Sequence, residues 1–217
     1  GIKAMQALQT LNPLKDTASN AQILFLVLNT SSVTLLPVTI FMYRTQLGAA
    51  NPADVFVPIL LATTASTLSG LLAVMWLQKI RLDAVVLGYL GGLVAVVATL
   101  VFWQPLYRTG PPGLLTALGV STLFVDALPV ALMKPFSGSG ARAMMLDVMN
   151  THGVDSVAGH IAAVMQGSTE TTFYVLAVYF GVVGITRIRY ALWAGLLCDG
   201  VGMITAVLVG GWFFAGG

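Results

Sequence analysis

The sequence predicts an all-α fold, a polytopic helical membrane protein whose helices include broken or re-entrant segments. Three observations predict it. Only 8% of the 217 residues are charged and 57% are hydrophobic, whereas a soluble domain carries about 25% charge; so few charges cannot cover a water-facing surface. Several stretches reach the roughly 20 apolar residues that a spanning helix needs. Polar residues gather in interruptions of those stretches.

The elements follow in order. Residues 1–20 are amphipathic, with Met5, Leu8 and Leu11 at helical spacing beside Lys3, Gln6 and Gln9. Asn12-Pro13 ends that element, and Asp16 or Thr17 is expected to start the next helix. Residues 21–43 are long enough to span, but Asn29-Thr30-Ser31-Ser32, Thr34 and Pro37 interrupt them. Residues 44–54, with Arg44, Gly48 and Asn51-Pro52, read as a polar loop. A second span covers 55–78 and contains the run from Thr63 to Thr67; Lys79, Arg81 and Asp83 close it. Residues 84–104 form a third, almost purely apolar span, followed by a break at Arg108 to Pro112. Residues 113–133 are apolar but weakened by Asp126 and Pro129. Lys134 to Gly140 reads as a flexible turn before a helix over 141–149. A second polar connection covers Asn150 to Ser156. The short apolar helix 157–165 stops at Gln166 to Thr172, and 173–185 resume the apolar character. Thr186 to Arg189 is a basic loop, and 190–214 form the last span, with Asp199 inside it.

The two ends of the chain share one order of elements. A short helix leads to a polar connection, a half-span, a Ser/Thr-rich interruption, a further apolar helix, a basic loop and a full span. Internal repeats with broken helices are a common transporter plan, with the site at the repeat interface. The chain opens without an initiator Met, a basic n-region or a signal peptide, so it is expected to be a fragment.

Several function classes are excluded or left without support. The net charge of +2 is small and its basic residues are scattered, which argues against nucleic-acid binding. Cys198 is alone, so no internal disulfide is expected. Around His152 and His160 no further His, Cys or acid stands at metal-ligand spacing, so no metal and no cofactor are expected. A serine hydrolase would need a nucleophile and base; Ser139 with His152 or His160 matches no Gly-x-Ser-x-Gly pattern. An aspartyl protease would need two facing acids, for which only Asp126 and Asp199 offer themselves. The expectation is therefore a non-enzyme with no catalytic residue.

The candidate site lies at the interruptions. Glu170 is the only glutamate, and a carboxylate at the bilayer centre must face protein or a water-filled cavity. Ser168, Thr169, Thr171 and Thr172 surround it, and Gly167 lets the backbone leave the helix. The counterpart is Asn29, Thr30, Ser31 and Ser32. These nine residues are the expected ligand-binding set, unless the hydroxyls merely bond back within their helices. Glu170 and Asp199 are the candidates for carrying a proton or ion.

Specific motifs then carry a family resemblance. Gly167-Ser168-Thr169-Glu170-Thr171-Thr172-Phe173-Tyr174, preceded by Lys134-Pro135-Phe136-Ser137-Gly138-Ser139-Gly140-Ala141, resembles the spore maturation B family. Leu28-Asn29-Thr30-Ser31-Ser32-Val33-Thr34-Leu35-Leu36-Pro37, with Lys15 to Asn20 and Asn51-Pro52, resembles the C-terminal half of the spore maturation A family. One chain with both resembles the fused A/B proteins of the nucleoside-recognition, or Gate, group. The resemblance implies two Gate-like repeats, 1–80 and 113–217, joined by 81–112. It implies a multi-pass protein of the bacterial inner membrane, related to the cores of concentrative nucleoside transporters. It also implies further segments before Gly1 and between Pro105 and Gly113. A small polar solute, nucleoside-like by this resemblance alone, is the expected ligand; the alternative is a scaffold acting with partners in spore or envelope maturation. The lipid bilayer is the expected surrounding, no nucleic acid is expected, and Gly88, Gly91 and Gly92 suit a homo-oligomer. The basic loops at Lys79/Arg81 and Arg187/Arg189 are expected on the cytoplasmic side.

Overall fold

A computed structural model describes residues 1–79, Gly91 and 122–214 of the chain. The described helices are α1 (Ile2–Thr10), α2 (Asn20–Thr30), α3 (Val38–Gln46), α4 (Phe56–Gln78), α5 (Leu128–Met133), α6 (Gly138–His152), α7 (Val157–Ser168), α8 (Thr172–Val182) and α9 (Ala191–Phe214). A 3-10 turn over Thr122–Ala127 runs into α5. Among the described residues there is no strand, only an isolated bridge between Thr17 and Arg187. The expected third span, 84–104, and the break after it lie outside the described residues, Gly91 excepted. So do Gly88 and Gly92; a Cβ on Gly91 would meet no atom within 4 Å among the described residues.

α4 and α9 have 23 and 24 residues. At 1.5 Å per residue each is about 35 Å long, enough to cross a hydrocarbon core of about 30 Å. They pack on each other and both pack on α2 and α7. The close approach has a visible cause. A Cβ on Gly70 of α4 would lie 2.4 Å from Cys198 Sγ on α9 and 2.7 Å from Val27 Cγ1 on α2. Both neighbours are fully buried and cannot swing aside. Gly70→Val should therefore lower stability by about 1–3 kcal/mol through overpacking. A melting temperature equal to wild type in detergent would show that the three helices do not meet this tightly.

α2, α3, α7 and α8 are short, 9 to 12 residues each, which is about half the hydrocarbon thickness. Their ends are set locally. Ser19 caps α2 in a capping box with Gln22, and Ser156 caps α7 through the Gly159 N–H. The expected start at Asp16 or Thr17 is corrected, because Asp16 instead lends its carbonyl to the N–H groups of Thr186 and Arg187. After α3 and α8 the chain turns at Gly48 (φ +79°) and Gly184 (φ +71°), a left-handed geometry that glycine adopts without strain.

Two further expectations are corrected. Arg44 does not lie in a loop; α3 runs on to Gln46 and buries it. Gly138 to Gly140 are not a flexible turn but the first turn of α6, capped by the Ser137 hydroxyl accepting from the Gly140 N–H. One core gathers around α7, with Ile59, Met145, Ile161 and Met165, and the other around α2, with Ile23, Leu26, Leu176 and Cys198.

Candidate functional site

A helix that stops inside apolar surroundings leaves its last carbonyls without partners, and lipid cannot supply them. α2 stops at Thr30 and α7 at Ser168, and each end is completed from elsewhere in the chain. The Glu170 N–H donates to the Thr30 carbonyl at 2.9 Å. The Thr34 hydroxyl donates to the Gly167 carbonyl at 3.3 Å, and Lys134 Nζ to the Gln166 carbonyl at 2.6 Å. From α4, the Thr67 hydroxyl donates to the Ser31 carbonyl, and Ser66 to the Cys198 carbonyl of α9 at 2.9 Å. The two interruptions therefore meet and bond to one another. A lysine at the end of α7 also suits the negative end of its helix dipole.

The expected ligand residues divide by what their side chains do. The hydroxyls of Thr30 and Ser31 bond back to the Val27 carbonyl at 3.0 and 2.7 Å, and Ser168 to Met165 at 2.8 Å. All three are buried, so these hydroxyls serve their own helices. Asn29 donates to the Phe25 carbonyl at 2.7 Å and accepts from the Tyr179 hydroxyl at 3.2 Å. Ser32 and Glu170 are exposed. Glu170 makes no ion pair or side-chain hydrogen bond among the described residues. Thr169 and Thr172 are buried and face Asp199 from the start of α8. Asp199 is 2% exposed. Its oxygens and the hydroxyls of Thr169 and Thr172 face one another and find no other hydrogen-bond partner among the described residues. Lys134 is the charged group whose field acts on it, and it acts on Glu170 as well.

Two clefts open at the interruptions. One, of about 570 Å³, lies along α2 and α8 and is lined by Asn29, Ser32, Thr171, Tyr174 and Tyr179. The other, of about 260 Å³, lies along α3 and is lined by Thr34, Tyr43, Lys134, Gln166 and Thr169. Gly138, Arg142 and Glu170 border both.

A second polar centre forms around Arg44. Arg44 Nη2 stands 3.0 Å from Asp54 Oδ1 and 3.0 Å from Asp155 Oδ1. It is 3.2 Å from His160 Nε2, which in turn lies 2.9 Å from Asp54 Oδ2. Burial pulls the guanidinium below its usual value, and the two carboxylates act against that. Tertiary structure brings Asp54 to join Asp155 beside His160: ligand-type atoms of the three lie within 4.8 Å of one another. The guanidinium already stands among them. Asp126 lies 3.9 Å from His152 at the other expected acid position, and Ser139 Oγ lies 3.3 Å from Ser137 Oγ. Chain separation hid most of the Arg44 cluster, since Asp155 and His160 lie more than 100 positions away.

Fold and site together define the class: a protein helical throughout its described residues, with two helices among them long and apolar enough to cross a membrane, built around two mutually bonded helix interruptions. Known proteins narrow this. The chain is 44% identical over 94 residues to spore maturation protein B of Bacillus subtilis (strain 168), covering 43% of the chain and 51% of that protein. It is 38% identical over 72 residues to spore maturation protein A of the same organism, covering 33% of the chain and 37% of that protein. These homologues support assignment to the spore maturation A/B family. The chain thus spans about half the length of one curated relative and over a third of the other. No family model and no solved structure matches it.

Proposed function

We propose that the chain is the core of a multi-pass bacterial inner-membrane protein of spore or envelope maturation that binds and moves a small polar solute. It is not an enzyme in this reading. Glu170 carries the proposal: a lone carboxylate, unpaired among the described residues, borders both clefts where the helices break. A scaffold would be expected to neutralise Glu170 and to leave no cleft at the break. Asn29, Ser32 and Thr171 line the larger cleft beside it, and Asp199 is the proposed ion or proton carrier behind it.

The proposed repeats, 1–80 and 113–217, find support in paired features. α2 packs beside α8 and α3 beside α7, as expected if the two broken helices enter from opposite sides. Arg44, at the end of α3, bonds the Val154 carbonyl ahead of α7 at 3.0 Å. Arg189, after α8, bonds the Ala18 carbonyl ahead of α2 at 3.1 Å. Gln78 and Arg189 both bond Asn20, so Lys79 and the Arg187/Arg189 loop share one end, which the positive-inside rule makes cytoplasmic.

The test is a melting-temperature panel on the protein in detergent, with nucleosides, nucleobases, amino acids and divalent metals. A ligand at about 100 times its Kd should stabilise by about 2.7 kcal/mol. The shift should vanish in Glu170→Gln. No shift with any compound would favour the scaffold.

A further inference from the structure

Resting on the solute-site reading above, we infer that the solute is a zwitterion of the amino-acid type, its carboxylate held by Arg142 and the start of α6 and its ammonium by Glu170. Arg142 lies in the second turn of α6, half-buried. Its guanidinium stands 5.8 Å from the centre of the Tyr43 ring. Among the described residues it bonds no carboxylate and no carbonyl. A guanidinium carries five N–H donors in a planar fork suited to a carboxylate. Glu170 likewise makes no ion pair or side-chain hydrogen bond among the described residues, Lys134 acting on it only through its field, and both border the same two clefts. Two opposite charges thus share one space without an ion pair between them.

The surroundings extend this pairing. α6 has 15 residues, and its positive N-terminal end faces the larger cleft through Ser137, Gly138 and Ser139. Gly138 brings that end against the break, for a Cβ there would lie 2.9 Å from Thr171 Oγ1. On the acceptor side, Gln166 and Thr169 border the smaller cleft and are 8% and 4% exposed. Gln166 Oε1 lacks a hydrogen-bond partner among the described residues, whereas the Thr169 hydroxyl faces Asp199. Tyr174 and Tyr179 supply a wall for a side chain.

Other solute classes answer only half of this arrangement. A nucleoside is uncharged and would leave both groups unpaired. A phosphate would meet the Glu170 carboxylate, and a simple cation would meet Arg142. A molecule with one charge of each sign pairs both at once.

The test measures binding of individual α-amino acids to the protein in detergent by titration calorimetry, beside a nucleoside set. The best binder is then compared with its amide, which lacks the carboxylate, and its N-acetyl form, which lacks the ammonium. Each derivative should bind about 10–100-fold more weakly, the range for a lost charged hydrogen bond. Glu170→Gln should weaken the parent but not the N-acetyl form, and Arg142→Gln the parent but not the amide. Unliganded melting temperatures of both variants are measured alongside, because Lys134 lies in the field of both side chains, and binding is compared where each variant is folded. Nucleoside binding indifferent to Arg142→Gln would overturn the zwitterion and keep the solute site. Amino-acid binding unchanged in both variants would overturn it too. Binding of neither class would overturn both.

Discussion

Replacing Arg44 by alanine should destabilise the protein by about 3 kcal/mol, the low end for breaking one partner out of a buried ion pair. The guanidinium is fully buried, while Asp54 and Asp155 keep 16% and 41% exposure, so water moderates the loss on the acidic side. Removing Arg44 leaves Asp54 against His160 alone and frees the loop carbonyls of Val154 and Asn51 that it bonds. Those bonds tie α3 and its following loop to the start of α7, so the damage should reach the interruption. Asp155→Ala should cost much less, about 1 kcal/mol or under, as for an exposed pair. Denaturant melts of the three proteins in detergent would check this. Equal losses for Arg44→Ala and Asp155→Ala would mean that the cluster is an ordinary surface pair.

Lys134→Met should cost about 2–3 kcal/mol, the range for a lost hydrogen bond from a charged group together with an orphaned carbonyl. Lys134 is 4% exposed and bonds the Gln166 carbonyl at 2.6 Å. Its field also acts on Asp199. Without it, a buried carboxylate faced only by the Thr169 and Thr172 hydroxyls also loses that positive charge. Asp199→Asn removes the carboxylate charge, so Lys134→Met should cost less in an Asp199→Asn background. A double-mutant cycle reads the difference, with coupling of about 0.5–3 kcal/mol expected for neighbours in one network. Additive losses would mean that Lys134 acts only on the end of α7.

The spans and their breaks were legible along the chain because both follow from the solvent. Lipid demands long apolar stretches and punishes polar groups among them, so 55–78 and 190–214 read directly as spans. The runs from Asn29 to Ser32 and from Gln166 to Thr172 likewise read as interruptions. Glu170 stood out as a lone carboxylate between apolar segments. Helix limits were less legible. Ser19 and Asp16 are both good cap residues, and only the reciprocal bond with Gln22 decides between them.

The site was legible by position and not by role. A hydroxyl that bonds back to its own helix looks the same in sequence as one free for a ligand, yet Ser31 is the first kind and Ser32 lines the cleft. By itself the sequence determined the class of protein, the two interruptions and the candidate carboxylates, since each depends on a residue and its immediate neighbours. Only the tertiary structure decided that the interruptions complete each other, that Arg44 meets Asp54, Asp155 and His160, and that Arg142 faces the space of Glu170. Those partners come from distant parts of the chain, and buried polar groups in an apolar medium are satisfied by whatever lies next to them in space.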